Sequence, residues 1–233
     1  MRRTLLIILI LIFSATVCFS QKDSTAGNSR FSVSLGPALL PIRSMNLGVS
    51  TGAEFRFSEK LSLFTELSFF PGPKNNSDST GMHKKYLRIK PELRYYLPAG
   101  ANRPKMYVAL QYSHASRSFD NERGGYYFLK NRTDSVNNYD RAHIKSPVQT
   151  IAGQLGVLFR AADILSIDYF MGFGFRWVNT TYSEAENLHL TSYSPIKGAF
   201  HFNGAYQYEG LRTGVHFTMG IRLICRIGKA QDR

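Results

Sequence analysis

The sequence predicts an all-β fold, an eight-stranded antiparallel up-and-down transmembrane β-barrel, and three observations predict it. Apolar and polar residues alternate with a period of two through eight segments of about 10 to 17 residues each, enough for a tilted strand to cross a bilayer. Short turns and long polar connections alternate between the segments. The polar face of the segments combines small residues with charges of both signs.

The strand segments follow one another along the chain, and helical spacing fits none of them well. The eight segments are FSVSLGPALL from Phe31, NLGVSTGAEFRF from Asn46, LSLFTELSFF from Leu61, KYLRIKPELRYYL from Lys85, KMYVALQYSHA from Lys105, VQTIAGQLGVLF from Val148, LSIDYFMGFGFRWV from Leu165 and LRTGVHFTMGIRLICRI from Leu211.

The connections fall into two kinds. After the second, fourth and sixth segments the chain turns within SEK, PAGANRP and RAADI, whereas long polar stretches follow the third, fifth and seventh. Only the first connection, near PIRSMN, is short on the long-loop side. Short turns on one rim, long loops on the other and an even strand count are typical of outer-membrane barrels. Both ends of the barrel are then expected on the short-turn side.

The residues of the polar face are unusually small. The interior of an eight-stranded barrel is only just wide enough for side chains, so small residues are required there and not on an outer surface. The small residues that share the polar parity are Ser34, Gly36, Ala38, Gly48, Ser50, Gly52, Ser68, Ala109, Ser113, Ala152, Gly156, Gly172, Gly174, Gly214 and Gly220.

The same face carries charges that are able to pair, and a closed lumen tolerates charge only when it is paired and hydrogen-bonded. For Asp168 we expect Arg222 or Arg226 as the partner. We predict a lumen charge network of Glu54, Arg56, Glu66, Arg88, Glu92, Arg94, Asp168, Arg176, Arg222 and Arg226, with Lys90 and Arg212 on the same parity.

The opposite face is apolar and is predicted to contact lipid. Tyr95, Tyr112, Tyr169 and Trp177 lie near strand ends, where aromatic girdles form. A soluble eight-stranded barrel of the lipocalin kind is the alternative, but it needs the two faces exchanged. The predicted lipid-facing set is Leu47, Val49, Phe55, Leu63, Leu67, Leu87, Ile89, Leu93, Val108, Leu110, Leu155, Val157, Phe159, Val215, Phe217, Ile221 and Leu223.

The N-terminus is typical of an exported protein. Basic residues precede an apolar run and a small residue at Ser20, which predicts a secretory signal peptide over residues 1–20. We then expect a short periplasmic linker over 21–30, the outer-membrane barrel over 31–227 and a C-terminal tail over 228–233. If the signal were that of a lipoprotein, Cys18 would be the acylated residue, but Val17 stands at a position where a lipoprotein signal carries a small residue.

Cysteine content and charge restrict the function classes. Cleavage after Ser20 leaves Cys225 as the only thiol, so we predict no disulfide.

The formal charge is +13, and +11 remains without Arg2 and Arg3. Export and the lack of a basic cluster with a stacking motif argue against nucleic acid. The predicted partners are outer-membrane lipid and lipopolysaccharide, with a surface or envelope protein as a further possibility; no cofactor is expected.

Three stretches carry a family resemblance. GAEFRFSEKLSLFTELSFF, IKPELRYYLPAGANRPKMYVALQY and LFRAADILSIDYFMGFGFRW resemble the small outer-membrane barrels of Bacteroidota, a group of unknown function, in strand-turn-strand texture. The resemblance implies an architecture similar to the OmpA transmembrane domain and OmpX, in the outer membrane of a Gram-negative cell envelope. It supplies no catalytic residues. Asp-Ser-Thr or Asp-Ser-Val triplets at Asp23, Asp78 and Asp134 resemble the glycan acceptor pattern of the same group.

One pair of residues raises the possibility of an enzyme. His114 and Ser116 share a parity at the long-loop end of the fifth strand and face outward in our assignment, resembling the catalytic pair of PagL-type lipid A deacylases. Arg117 stands where that family has asparagine, and no acidic partner is assigned to His114. No metal site is predicted, since the remaining histidines lack ligand spacing; these are His83, His143, His189, His201 and His216.

The function that the sequence favours is structural or adhesive, through long external loops, because eight strands leave no aqueous channel. Two alternatives stay open. One is lipid A deacylation by His114 and Ser116, and the other is a small-solute pore if the lumen glycines leave a gap.

Overall fold

A computed structural model describes residues 30–42, 44–70, 82–98, 104–128, 135–162, 164–192 and 208–227. The predicted signal peptide, nearly all of the linker, the C-terminal tail and the aspartates of the three Asp-Ser triplets lie outside these residues. Within them, no helix is long and apolar enough to cross a membrane.

The described residues form ten strands, which are listed here in chain order. They are β1 (Phe31–Ile42), β2 (Ser44–Arg56), β3 (Leu61–Phe69), β4 (Met82–Tyr96), β5 (Lys105–Phe128), β6 (Ser135–Lys145), β7 (Val148–Arg160), β8 (Leu165–Glu186), β9 (His189–Ser192) and β10 (Tyr208–Ile227).

Eight of these strands close into a ring, and they correspond to the eight predicted segments. Their order is β1-β2-β3-β4-β5-β7-β8-β10, and β10 pairs with both β8 and β1. Every pairing around the ring is antiparallel. The pairing of β1 with β10 is limited to Phe31–Leu35 and Leu223–Ile227, so the ring closes only along this part of the two strands. The prediction of an all-β antiparallel fold is therefore confirmed.

β6 and β9 were not predicted. β6 pairs with β5 from Ser118–Lys145 to Tyr126–Asn137, and it pairs with β8 at Lys145–Thr181. Only residues 146 and 147 separate β6 from β7, so β6 continues the line of β7 beyond the ring. β9 pairs with β6. We call this part, residues 117–128, 135–145, 179–186 and 189–192, the extension.

The predicted loop after the fifth strand is thus largely a hairpin of two long strands, β5 and β6. The loop prediction was wrong here because the alternation is obscured on the buried face. Polar Arg117 and Asn121 are buried beside Phe119, and Gly124 and Gly125 interrupt the pattern. A buried face that mixes polar and apolar residues does not produce the apolar period of two that marks a strand in sequence.

Around the ring, the two faces are sorted by polarity. Alternate residues of β3 and β7 are buried and exposed in turn, and the buried ones point to the interior. The outward face is apolar on every strand of the ring. Its exposed large residues include Leu47, Phe55, Leu63, Leu67, Leu87, Ile89, Leu93, Val108, Leu110, Ile151, Leu155, Phe159, Tyr169, Phe173, Val215, Phe217, Ile221 and Leu223.

Candidate functional site

A cluster of six buried charges occupies the lumen between β3, β4, β8 and β10. We refer to it as the lower network, since it lies toward the short turns at residues 57–60 and 161–164. The lower network consists of Glu66, Lys90, Glu92, Arg94, Asp168 and Arg222, each at most 3% exposed.

Arg222 is the centre of the lower network. Its guanidinium reaches Glu66 at 2.7 Å through Nε, Glu92 at 2.6 Å through Nη2 and Asp168 at 3.2 Å through Nη1. Asp168 and Arg222 are direct cross-strand neighbours on β8 and β10. The planar guanidinium has its donors in a fixed fork, so it is able to bind three carboxylates in one plane.

Arg94 is the second guanidinium of the lower network. Its Nη2 donates to Glu92 at 2.7 Å and to Asp168 at 3.3 Å. Both Arg94 and Arg222 lie over the ring of Phe64, at 4.0 and 4.6 Å from its centroid. Tyr107 donates its hydroxyl to Asp168 at 3.0 Å. Aromatic faces and carboxylates together replace the water that these cations lose on burial.

Lys90 and Arg88 are the other two cations that contact Glu66. Lys90 Nζ lies 3.1 Å from Glu66 and 3.4 Å from Glu92, and its ammonium lies over the ring of Phe170. Arg88 Nη2 donates to Glu66 at 3.0 Å. Three carboxylates therefore face four cations, which leaves one positive charge uncompensated within the cluster.

Glu54 forms a smaller buried group nearer the short turns. It accepts hydrogen bonds from the hydroxyls of Ser32 at 3.2 Å and Ser62 at 2.6 Å, and a short one from Tyr96. Arg56 lies 3.7 Å away. Because Ser32, Glu54, Ser62 and Tyr96 are almost inaccessible to solvent, they and the lower network together close the lumen at this end.

Two of the predicted charges are not brought into these clusters. Among the described residues, Arg176 and Arg226 form no ion pair within 4.0 Å. Arg226 is half-buried near the start of β1, opposite Ser32. Arg176 is exposed and lies opposite Gly214, toward the long connections.

Sequence reasoning missed the aromatic part of the lumen. Phe64, Tyr107 and Phe170 share the inward parity and hold the arginine and lysine head groups. Their parity was the available signal, but these aromatic residues were not included in the predicted lumen network. Lys90 was recognised as inward and was left out of the predicted network.

The opposite half of the lumen is much more open. On β10, inward residues from Arg212 to Gly220 are half-buried, whereas Arg222 and Ile224 below them are buried. The inward Arg176 of β8 is exposed. Across the lumen, an apolar cluster of Ala38, Tyr86, Ala115, Phe119 and Ile144 covers the side formed by β1, β4, β5 and β6. The inward side chains of β10 are therefore partly exposed where this strand extends beyond its pairing with β1 at Leu223–Ile227.

The deacylase candidates lie on the outer face of β5. His114 is opposite Ile89 and Gln149, and Ser116 is exposed opposite Leu87. Among the described residues, no carboxylate is hydrogen-bonded to His114. The neighbouring Asp120 instead bonds to His143 at 2.6 Å. Nucleophile activation by a histidine requires a group that orients the imidazole, and the described residues do not supply one.

Two further predictions concern metal ligands and the pairing of cysteine. The described residues contain no group of three or more histidine, cysteine or acidic side chains arranged to hold a metal ion. Cys225 of the full-length chain is disulfide-bonded, which differs from the expectation of no disulfide. That expectation concerns the chain without residues 1–20, which carry the other cysteine, Cys18, outside the described residues. For the cleaved chain it stays a prediction.

The extension has its own aromatic core. Tyr126 and Tyr182 stack with ring centroids 4.0 Å apart, and Tyr139 packs against both. Burial raises the pKa of the Tyr126 and Tyr182 hydroxyls. Asn121 donates to the Tyr139 hydroxyl at 2.8 Å. The extension is therefore an ordered part of the fold that projects beyond the ring.

Comparison with known proteins gives one likeness. No protein-family description matches the sequence, and no curated protein matches it. Among solved structures the chain is similar to Neisserial surface protein A (NspA), at 12% sequence identity and a TM-score of 0.36. The match covers 86% of this chain and 99% of that one. At this identity and TM-score the similarity does not support a functional argument.

Proposed function

We propose that this chain is an outer-membrane β-barrel protein with a lumen closed by side chains and a structural or adhesive role carried by its extension. The observation that carries the proposal is the outward face of the ring, where large apolar side chains are exposed on every strand. A soluble monomer rarely exposes a contiguous apolar patch beyond a few hundred Å². A belt of this kind around a closed ring of strands suits a hydrocarbon environment.

The interior supports the same proposal. The largest fully buried side chains include Arg94, Arg222, Glu92 and Asp168, which are charged. A soluble binding barrel places apolar residues inside and polar residues outside, so it has the reverse distribution. The soluble alternative is therefore disfavoured.

The lower network favours a closed lumen over a small-solute pore. Its charges are ion-paired, nearly inaccessible to solvent and joined across the ring from β3 and β4 to β8 and β10. A conducting path through these residues would have to separate buried ion pairs, which costs several kcal/mol per uncompensated ion. This supports a structural or adhesive role.

We further propose that lipid and lipopolysaccharide surround the ring and that a surface or envelope protein binds the extension. An organism of the Bacteroidota, with the short turns in the periplasm, fits the sequence resemblance. A rigid hairpin of β5 and β6 that carries exposed polar residues such as Arg123 and Asp140 is suited to protein contact.

Fractionation and gel mobility test the membrane assignment. We expect the mature chain in the outer-membrane fraction, soluble only with detergent. A folded barrel should migrate differently on a denaturing gel before and after boiling. A mature protein that stays in solution without detergent would refute the assignment.

Planar-bilayer recording tests the closed lumen. The purified protein should be electrically silent, because the lower network blocks the lumen. A steady conductance from the wild-type protein would favour the pore alternative instead.

Site-specific crosslinking tests the interaction role. A photo-crosslinking residue in place of Arg123, which is exposed in the extension, should capture an envelope or surface protein in whole cells. The matched control replaces Lys60, which is exposed in the β2–β3 turn at the opposite end. The same products from both positions, or none from position 123, would argue against a partner at the extension.

A further inference from the structure

The outward face of the ring changes from apolar to charged where it approaches the extension. The outward positions of residues 87–93 on β4, 106–116 on β5 and 167–179 on β8 carry no Asp, Glu, Lys or Arg. We call this outward surface of the ring the apolar belt. Leu87 is exposed on it, and the next outward position of β4 away from the short turns is Lys85, which is also exposed. Charge therefore begins on β4 directly beyond the apolar belt.

The pairing register places a second lysine close to the first. Lys85 lies opposite Ser118 of β5, and Ser118 also lies opposite Lys145 of β6. Lys145 in turn lies opposite Thr181 of β8. Residues directly opposite each other in antiparallel strands have their side chains on the same face. We call these four residues the lysine row. Neighbouring strands are about 4.8 Å apart, so the backbones of the two lysines are about 10 Å apart, with Ser118 between them.

The ammonium groups of the lysine row are available to a ligand. Lys85 and Lys145 are exposed, and within the described part of the chain neither forms an ion pair within 4.0 Å. The next outward residue of β5 after Ser118 is Asp120, whose carboxylate bonds to His143 at 2.6 Å and lies 3.8 Å from Arg141. The row therefore presents two cations and a hydroxyl group on one exposed face.

The place of the lysine row beside the apolar belt indicates what it meets. At the boundary of a bilayer the hydrocarbon gives way to head groups, and anionic head groups attract exposed lysine and arginine there. A lysine at this level lays its apolar stem along the hydrocarbon surface and keeps its ammonium group in the polar layer. Trp177, four residues before Thr181 on β8, is of the residue type that marks this boundary. The row is therefore expected at the level of lipid phosphates.

We propose that the lysine row binds the phosphate group of an outer-leaflet lipid whose acyl chains lie on the apolar belt. Lys85 and Lys145 approach the phosphate oxygens from two sides, and Ser118 donates its hydroxyl between them. A free phosphate ion makes only these polar contacts, whereas a lipid also covers exposed apolar side chains such as Leu87. The lipid is therefore the source of phosphate that this surface fits. The inference rests on the proposed function, because acyl chains contact the belt only if the ring lies in a membrane.

Lipid titration followed by native mass spectrometry tests the inference on the mature chain in a nonionic detergent. The probes are short-chain phosphatidic acid and the diacylglycerol with the same acyl chains, with inorganic phosphate as a competitor. Constant ionic strength keeps the screening of exposed charges equal in all runs. We expect saturable binding of phosphatidic acid, no saturable binding of diacylglycerol over the same concentrations, and no displacement by an equal concentration of inorganic phosphate.

Matched variants show whether the lysine row is responsible. Lys85→Gln combined with Lys145→Gln should weaken the binding of phosphatidic acid about tenfold, because two exposed ionic contacts are lost. Lys85→Arg combined with Lys145→Arg keeps both charges and should retain binding. Arg123→Gln removes one exposed charge at the far end of β5 and should leave binding unchanged.

Loss of affinity in the glutamine double variant, with affinity retained in the arginine double variant and in Arg123→Gln, supports the inference. It is overturned if the glutamine double variant binds as the wild type does, if Arg123→Gln weakens binding equally, if diacylglycerol binds as well as phosphatidic acid, or if inorganic phosphate displaces the lipid. Heat-modifiable mobility verifies that each variant is folded. Fractionation tests the membrane assignment separately, so a chain found in the outer membrane that fails the lipid titration refutes the lysine row alone.

Discussion

The lower network and the opposite half of the lumen are formed by some of the same strands, yet they treat charge in opposite ways. In the lower network every carboxylate is bonded to at least two cations and water is excluded. In the opposite half of the lumen the inward Arg176 is exposed and forms no ion pair among the described residues. The difference shows what permits burial: a charge is enclosed where its partners are supplied, and it stays hydrated where they are not.

We expect the largest effect on stability when one arginine in each region is replaced by glutamine. Arg222→Gln should destabilise the ring by about 3 to 5 kcal/mol, because it leaves Glu66, Glu92 and Asp168 short of a buried partner. Arg176→Gln should change stability by less than about 0.5 kcal/mol, as is usual for an exposed residue outside a network. Urea unfolding in detergent, followed by heat-modifiable mobility, measures both.

These two substitutions test whether the lower network and the opposite half of the lumen differ in how they hold charge. Equal destabilisation by the two substitutions would mean that Arg176 is also held in a buried network. A mild effect of Arg222→Gln would mean that the lower network contributes closure and not stability.

A second pair of variants concerns packing. On β7, a Cβ on Gly156 would collide with the ring of Tyr107, whereas Gly153 faces outward with nothing within 4 Å. Gly156→Ala should cost about 1 to 3 kcal/mol, the usual range for overpacking a tight core. Gly153→Ala should be close to neutral. Both are measured by urea unfolding, and equal effects would show that strand propensity, not lumen packing, decides the cost.

Much of this arrangement follows from the parity of the sequence. A period of two assigns each strand residue to a face, so Gly172 and Asp168 of β8 were expected inside and Phe173 outside. The small size of the inward residues indicates a narrow lumen. Parity does not show how far along the barrel axis a residue lies, because that position depends on the stagger between strands, which the pairing register sets.

The pairing within the lumen therefore required the structure. Arg222 was expected near Asp168, and the register adds that it also reaches Glu66 and Glu92 from β3 and β4. Arg226 was an equally good candidate by sequence but lies beside Ser32, below the lower network. The extension was missed for a different reason, because its buried positions include Arg117 and Asn121. Arg117 Nε donates to the Ser146 carbonyl at 2.5 Å, a local contact that no periodicity predicts.

The smallest expected effect compares a satisfied hydroxyl with an unsatisfied one in the extension. Within the described part of the chain, the buried Tyr182 hydroxyl has no hydrogen-bond partner, whereas the Tyr139 hydroxyl accepts from Asn121 at 2.8 Å. Tyr139→Phe should cost about 1 kcal/mol, because it removes this buried hydrogen bond. Tyr182→Phe keeps the stacking on Tyr126 and removes a buried, unpaired group, so stability should stay unchanged or rise by up to about 1 kcal/mol. Resistance of the β5–β6 hairpin to limited proteolysis reports on both variants without unfolding the ring. If Tyr182→Phe weakens that resistance as much as Tyr139→Phe does, the Tyr182 hydroxyl has a partner in the folded protein, and the contrast between satisfied and unsatisfied polar groups would not extend beyond the lumen.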